Sequence, residues 1–522
     1  MALSAADIKK RYDIANKEKE NFRALYEECY EYALPNRNLY DGHFNAVSGQ
    51  KKIHKVFDST AISSTQRAAN RIQSNLFPPQ RSWCRLQPGE EIDPQYHVDL
   101  QRMLDSYTDK LFGVLRQSDF DLAMGEFLLD LMVGTAVMQI MPGDETKPIR
   151  FNAIPSFLVT FEEGPHGTVD NIYRRIIRAF ETLEKEWPDI NLPEDLKNQY
   201  ADKPQEKIEI LEATLHDRVK GVYDYVLIDK KGENILLRRE LKSMPWVVAR
   251  WMKVAGETMG RGPLVTVIND VKTLNKVVEL TLKNASLSIG GVFTAADDGV
   301  LNPSTIQIVP GSIISVARNG GPQGESLKPL PRTGDPQLGQ LVTNDLRTAI
   351  KKGLLDESLP PENMSARSAT EIQARLSELA QNLGSAFGRL IVETMMPIVR
   401  RSLEVMDGIG MIELPLKVNG LQVKVVPVSP LAMAQNMDKV GEVMQYLQIT
   451  QMLGPEGVMA INMGRVADYL ADQLGIPAKL RNTPEEKDAI AAQMQQAAQQ
   501  AAQEQMTTEG EGATAEEPAA IQ

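Results

Sequence analysis

Residues 127–141 read FLLDLMVGTAVMQIM, the longest apolar run in the chain. Its first half continues a helical periodicity that begins at Phe120, and Gly134 ends it, as glycine commonly does just past a helix terminus. Thr135–Ile140 then reads as a strand, closed by Pro142-Gly143. Asp130 and Gln139 interrupt the run, and it falls short of the roughly 20 apolar residues of a membrane helix, so no membrane partner is expected.

This switch decides the fold, because the sequence upstream of it is helical and the sequence downstream is strand. Upstream, Ile8, Tyr12, Ala15, Phe22, Tyr26 and Tyr30 fall at helical intervals, predicting one amphipathic helix from Ala5 to Ala33 that Pro35-Asn36-Arg37-Asn38 closes. A helix over Ser59–Leu76 is broken by Phe77-Pro78-Pro79, a short strand follows at Ser82–Leu86, and a helix at Asp99–Arg116. Downstream, the period is two in Ile149–Ile154, Leu158–Phe161, Val169–Arg178, Ile208–His216, Tyr223–Ile228, Ile235–Arg239 and Val247–Met252, with helical inserts at Phe180–Trp187 and Pro193–Asn198. The expected class is α+β with a mainly antiparallel sheet.

Beyond residue 262 helices return. Pro263 opens a helix to about Ile289, about 40 Å long at 1.5 Å per residue. Leu264, Val267, Ile268, Val271, Leu274, Val278, Leu282, Ala285 and Ile289 form its apolar stripe, with Lys272, Lys276, Glu279 and Lys283 on another face. Residues 290–336 are rich in Gly and Pro and carry a hairpin signal in 305–316 around Pro310-Gly311. A second helix, Pro336–Lys352, places Leu338, Leu341, Val342, Leu346 and Ile350 on one side and is expected to end at Gly353. A Pro-containing loop, Asp356–Met364, precedes a helix of about forty residues that Pro397 should kink. A strand pair (Leu414–Val418, Leu421–Val428) and helices at Pro430–Leu453 and Met463–Leu474 follow, then an Ala/Gln-rich, acidic segment.

The chain has 522 residues, 42% hydrophobic, enough for more than one lobe. Its net charge is −12, which predicts no strong grip on nucleic acid. Cys29 and Cys84 lack CxxC spacing, excluding a disulfide framework and a thiolate zinc site, and the opening MALSAADIKKRYD lacks the apolar core of a signal peptide. Gly256-Glu257-Thr258-Met259-Gly260-Arg261-Gly262 stands between a strand and a helix but lacks the Lys-Ser/Thr of a P-loop, and Val265 replaces the third glycine of a dinucleotide motif; a tight turn is the better reading. His43, His54, His97, His166 and His216 show no metal-ligand spacing, and no nucleophile motif is present. Neither enzymatic activity, a metal nor a cofactor is expected. The remaining chemistry is basic: Arg347, Lys351 and Lys352 on the second helix, and Lys272, Lys276 and Lys283 on the first. In one copy these solvate a surface and complement a helix dipole; repeated around a ring they would make positive belts.

Several strings, in order, resemble the portal (head-to-tail connector) proteins of short-tailed, podovirus-type bacteriophages. They are Leu76-Phe77-Pro78-Pro79-Gln80-Arg81-Ser82-Trp83-Cys84-Arg85-Leu86, Gly134-Thr135-Ala136, Gly256–Pro263 and Ser365-Ala366-Arg367-Ser368-Ala369-Thr370-Glu371-Ile372. The resemblance, over roughly residues 5–480, implies a wing at 1–261, stem helices at 262–289 and 337–353, a clip at 290–336, a tunnel loop at 354–368, a long helix and wing return at 369–430, a crown at 431–487 and a flexible tail at 488–522. It implies a homo-oligomer, a dodecamer, at one capsid vertex of the virion, assembled in the host cytoplasm with major capsid and scaffolding proteins. It further implies that the terminase large subunit and tail adaptor proteins dock on the ring. Double-stranded DNA would pass through weakly and non-specifically during packaging and ejection, past Arg347, Lys351 and Lys352 and the loop residues Asn363, Ser365 and Arg367. Another ring-forming head–tail adaptor, or a cytosolic α+β enzyme, would be the alternative.

Overall fold

The computed structural model describes residues 3–37, 55–93, 96–290, 293–295, 327–329, 336–356, 384–413, 422–452 and 461–474, with a few positions between 486 and 493. Helices α1 (Ala5–Glu20), α2 (Arg23–Ala33) and α3 (Thr60–Leu76) lead to strand β1 (Cys84–Pro88) and helices α4 (His97–Gln117) and α5 (Phe120–Val133). Strands β2 (Thr135–Pro142), β3 (Ile149–Ile154), β4 (Val159–Glu163) and β5 (Val169–Ala179) precede short helices α6 (Leu183–Glu186) and α7 (Glu194–Tyr200). Strands β6 (Lys207–Asp217), β7 (Val222–Asp229), β8 (Ile235–Leu241) and β9 (Trp246–Arg250) complete the strand-rich part. Helix α8 (Pro263–Gly290), strands β10 (Phe293–Ala295) and β11 (Leu327–Pro329), and helix α9 (Pro336–Gly353) follow. Then come α10 (Ser385–Arg389), α11 (Met396–Gly408), β12 (Val423–Pro427), α12 (Pro430–Met452) and α13 (Met463–Gln473). The class is α+β.

Two compact units are formed, one by the described parts of 1–75, 118–369 and 381–404, the other by those of 76–117, 370–380 and 405–522. In the first unit strands β2–β9 make two antiparallel sheets, ordered β3-β2-β9 and β4-β5-β6-β7-β8. The period of two explains the layering: Leu211, Ala213 and Leu215 of β6 point to α1, where they meet Ile8 and Tyr12. Ile208 and Ile210 point the other way, into a core closed by Leu183 and Leu192 of the helical insert. Each such apolar side chain contributes about 1.5–3 kcal/mol on burial.

The single helix expected over Ala5–Ala33 is two. A break at Asn21-Phe22 lets α1 bury Ile8 and Tyr12 on the five-stranded sheet while α2 turns Tyr26 and Tyr30 toward α5 and β2. One straight helix cannot present both stripes to different surfaces. Asp130 and Gln139, which interrupt the 127–141 run, are both buried and partnered. Asp130 accepts from Tyr30 Oη (3.0 Å) and from Arg37 Nε (3.1 Å) and Nη2 (2.8 Å). Gln139 donates to Glu212 Oε1 (2.7 Å) and accepts from Arg174 (3.0 Å), joining the two sheets.

Gly134 sits where backbones nearly touch. A Cβ there would stand 2.2 Å from the Gly260 carbonyl oxygen, and one on Gly260 would stand 2.4 Å from that of Gly134. Thr135 Oγ1 accepts from the Gly260 amide (2.8 Å), and the Gly262 amide donates to the Val133 carbonyl (2.9 Å). The helix-to-strand switch is thereby fixed to the segment that opens α8.

In the second unit β1 pairs antiparallel with β12, Cys84 opposite Pro427 and Pro88 opposite Val423. The strand expected at Leu421–Val428 thus finds a partner over 330 residues earlier in the chain; the other strand expected there, Leu414–Val418, lies outside the described residues. Trp83 is 2% exposed and edge-on to Phe77 and Phe112, each at 5.2 Å. The expected kink near Pro397 is a π-helical turn at Leu390–Met395. Proline has no N–H and crowds the carbonyl four residues back, here Glu393, inside that turn. Between α8 and α9, β10 pairs with β11, while the hairpin expected in 305–316 lies outside the described residues.

Gly134→Ala is expected to destabilise by about 1–3 kcal/mol, the usual cost of overpacking. Gly113→Ala, in mid-helix with nothing within 4 Å of the added carbon, should be neutral or stabilising by up to about 1 kcal/mol. Thermal unfolding of the two variants checks the contrast.

Candidate functional site

The basic residues singled out from the sequence lie on α8 and α9, which run antiparallel: Gly353 meets Val267 at one end, and Gly339 meets Thr281 farther along. A Cβ on Gly353 would stand 2.3 Å from Val267 Cγ1, so this glycine permits the helix crossing. The helix ends at Gly353 as expected, and the left-handed residue that closes it comes two positions later. Leu355 adopts the left-handed conformation (φ 58°), its amide donates to the Lys352 carbonyl (3.0 Å), and the Asp356 amide reaches back to the Lys351 carbonyl (2.8 Å). This is a Schellman closure.

Near that end of the pair, α3 adds polar clasps. Arg347 donates through Nε (3.0 Å) and Nη2 (2.7 Å) to Oδ2 of Asp58, whose other oxygen accepts from the Thr60 amide (2.8 Å) at the start of α3. Asn275 Oδ1, buried on α8, accepts from the amides of Phe57 (2.8 Å) and Asp58 (3.1 Å). Asp356, 4% exposed, is held by Arg67 and Ser64. Burial pushes the carboxyls of Asp58 and Asp356 up. For Asp58, hydrogen bonds from Thr60 and Arg347 outweigh it and hold the group below the usual range; Arg67 and Ser64 do the same for Asp356.

Lys272 pairs with Glu28 of α2 (2.9 Å), while Lys276 (3.0 Å) and Lys283 (2.6 Å) share Glu279. Lys351 and Lys352 are exposed in the last turn of α9, where they complement the helix dipole. The basic residues are therefore strung along the pair, with Lys272 and Lys283 about 16 Å apart by helix rise, and do not converge. Asn363, Ser365 and Arg367 lie outside the described residues.

Sequence reading missed Asp58, Asn275, Asp356 and Arg67. Asp58 carried a signal, an acidic residue just before a helix start, and Asn275 interrupts the apolar side of α8. Asp356 and Arg67 are 289 positions apart and carried none.

The Gly256–Gly262 segment is a turn that is fastened to its neighbours. The amides of Gly260, Arg261 and Gly262 go to Thr135, Met252 and Val133, and Arg261 pairs with Glu257 (2.6 Å). Among the described residues no group of three or more His, Cys, Asp or Glu is arranged to hold a metal. Burial pushes the Cys29 thiol up to about 12 and Cys84 higher, so neither is a nucleophile at neutral pH. The second unit has a cavity of about 360 Å³ with Arg81, Arg85, Asp105 and Asp109 on its wall; both signs of charge line it, and no single ligand chemistry is favoured.

Comparison with known proteins identifies the family. The model of the bacteriophage head to tail connecting protein family matches residues 5–481, and the chain belongs to that family. It is a connector component of the phage particle. The portal protein of Enterobacteria phage T3 is 21% identical over 528 residues, covering 95% of this chain and 92% of the T3 protein. That of Escherichia phage T7 is 21% identical over 409 residues, covering 73% of this chain and 71% of its own. Solved structures of a native gene transfer agent virion and of the neck of an empty gene transfer agent particle align at TM-scores of 0.35 and 0.34 with 12% identity. Each covers 84% of this chain and is itself 97% covered.

Arg347→Ala strands the buried Asp58 carboxylate and is expected to cost about 1–3 kcal/mol, whereas Lys351→Ala and Lys352→Ala should stay within about 0.5 kcal/mol. Because the folded carboxyl of Asp58 titrates below its unfolded value, its contribution is present above about pH 4 and lost as pH falls through the folded value. The stability gap between wild type and Asp58→Asn, followed by thermal unfolding, should be full at pH 6 and close below about pH 4.

Proposed function

We propose that the chain is the subunit of a homo-oligomeric portal ring, a dodecamer, at one capsid vertex. Through it a terminase motor packages double-stranded genomic DNA, and DNA later leaves through it into an attached tail. Family membership supports this reading, and one observation on the chain carries it: the α8–α9 pair leaves apolar residues of both helices uncovered. Among the described residues Leu280 (53% exposed), Leu282 (55%), Leu341 (61%) and Val342 (37%) remain exposed and suit packing against neighbouring copies.

In this reading residues 1–261 with 369–430 form the wing, 262–289 and 337–353 the stem, 290–336 the clip that meets the terminase large subunit, and 431–487 the crown. The tail at 488–522 stays outside the core. Tail adaptor proteins, the major capsid protein and scaffolding proteins are the other partners, and assembly takes place in the host cytoplasm. Lys351, Lys352 and the loop at 354–368, with Asn363, Ser365 and Arg367, contact DNA in passing. The basic belts are thin: Lys276 and Lys283 share Glu279, and Lys272 and Arg347 are paired with acids. A conduit benefits, because each lasting phosphate contact slows sliding. ATP hydrolysis belongs to the motor, not to this chain.

Negative-stain imaging of the purified protein tests the ring: annuli with a central hole are expected, and compact particles of one or two chains would overturn the reading. Shortening the loop between Leu359 and Met364 is expected to leave annuli intact and to impair DNA packaging or retention, measured as nuclease-protected DNA per particle.

A further inference from the structure

We propose that Leu355 and Asp356 form a strained latch that couples α3 to the direction in which the chain leaves α9. Among the described residues Leu355 is the one non-glycine with a positive φ. A left-handed helix end normally falls on glycine, which has no Cβ to crowd the following carbonyl. Here the nearby glycine, Gly353, is consumed by the contact with Val267, and the left-handed position falls on leucine. Such strain persists where surrounding contacts over-determine it.

Among the described residues the side chains that hold this turn come from α3. Arg67 of α3 donates to both carboxylate oxygens of Asp356, through Nε at 3.0 Å to each and through Nη2 at 2.6 Å to Oδ2. Ser64 Oγ donates to the same Oδ2 at 2.7 Å, and Arg71 Nη1 donates to the Leu355 carbonyl at 2.9 Å. All three donors lie on the 64–71 face of α3, spaced by helical threes and fours. Leu354, fully buried, anchors the turn from below.

The latch therefore has two opposing parts. Backbone strain at Leu355 favours opening, and the α3 donors favour closure. When α3 shifts relative to α9 the donors are lost together, Leu355 relaxes to an ordinary conformation, and the Asp356 amide leaves the Lys351 carbonyl. Among the described residues the groups facing Asp356 are Ser64, Arg67 and Arg71, so the latch holds one carboxylate against two cations. Its bearing on DNA passage rests on the portal reading above; the latch itself does not.

Amide hydrogen exchange of the full chain, resolved to residues 354–356 and corrected for intrinsic rates, tests the coupling without DNA. Arg67→Ala is expected to speed exchange at Leu355 and Asp356 at least tenfold, about 1.4 kcal/mol, with Val271 in α8 unchanged. Leu355→Gly, which removes the strain, should slow exchange at 355–356 in the wild-type background and restore protection in the Arg67→Ala background. Should Arg67→Ala fail to fold, Arg67→Lys, which keeps the charge and loses the fork, should give the same change in smaller measure. Unchanged exchange in the Arg67 variants, or glycine that speeds exchange, would overturn the latch. A failure to form rings bears on the portal reading and leaves this test standing.

Discussion

The backbone crossing of Gly134 with Gly260 is the constraint on which the first unit depends. No side chain fits between the two strands of chain, since either added Cβ would lie within 2.5 Å of the opposing carbonyl oxygen. Gly262 is held as tightly, its missing Cβ standing 2.2 Å from the Met132 carbonyl. Tyr26 of α2 closes the junction by donating to the Gly260 carbonyl, and Thr135 accepts from the Gly260 amide. One point thereby joins α2, the α5–β2 switch and the start of α8. The long helix leaves the sheet region from a fixed origin.

Buried polar groups do the remaining positioning. Arg250, 2% exposed, pairs with Glu163 of β4 and with Glu393 in the π-helical turn (3.0 Å), tying the later helix to the sheets. Glu212 receives Gln139 and Tyr225, and burial pushes its carboxyl above the usual range despite the nearby Arg174. Such pairs add little net stability over an apolar core, but removing one partner is costly, so they act chiefly to fix how layers meet. The Asp58–Arg347 and Asp356–Arg67 clasps follow the same logic at the foot of the α8–α9 pair.

Most elements were legible from period and punctuation. Gly134 as a helix end, the run of hairpin strands, Pro263 as a helix start and the Phe77-Pro78-Pro79 break all act locally, and local chemistry is what a sequence displays. Errors arose where tertiary packing decided. Asn21-Phe22 is not a conspicuous breaker, yet two different surfaces call for two helices. Gly353 ends α9 as its type suggested, but it also packs on Val267, and the left-handed residue that closes the helix is Leu355 instead. The partner of Val423–Pro427 lies in β1, a pairing no local signal announces. Among the basic residues, type and helix face were readable, but whether each is free or bound was not, because Glu28 and Asp58 come from distant segments.

The functional reading thus reduces to where the α8–α9 pair stands in an assembly. A reconstruction of the purified full-length protein at side-chain resolution measures this directly. The expected result is a closed ring in which Leu280, Leu282, Leu341 and Val342 are covered by neighbouring copies, while Lys351 and Lys352 face the axial opening. A ring with those lysines on its outer surface and the apolar residues still bare, or no ring, would contradict the account.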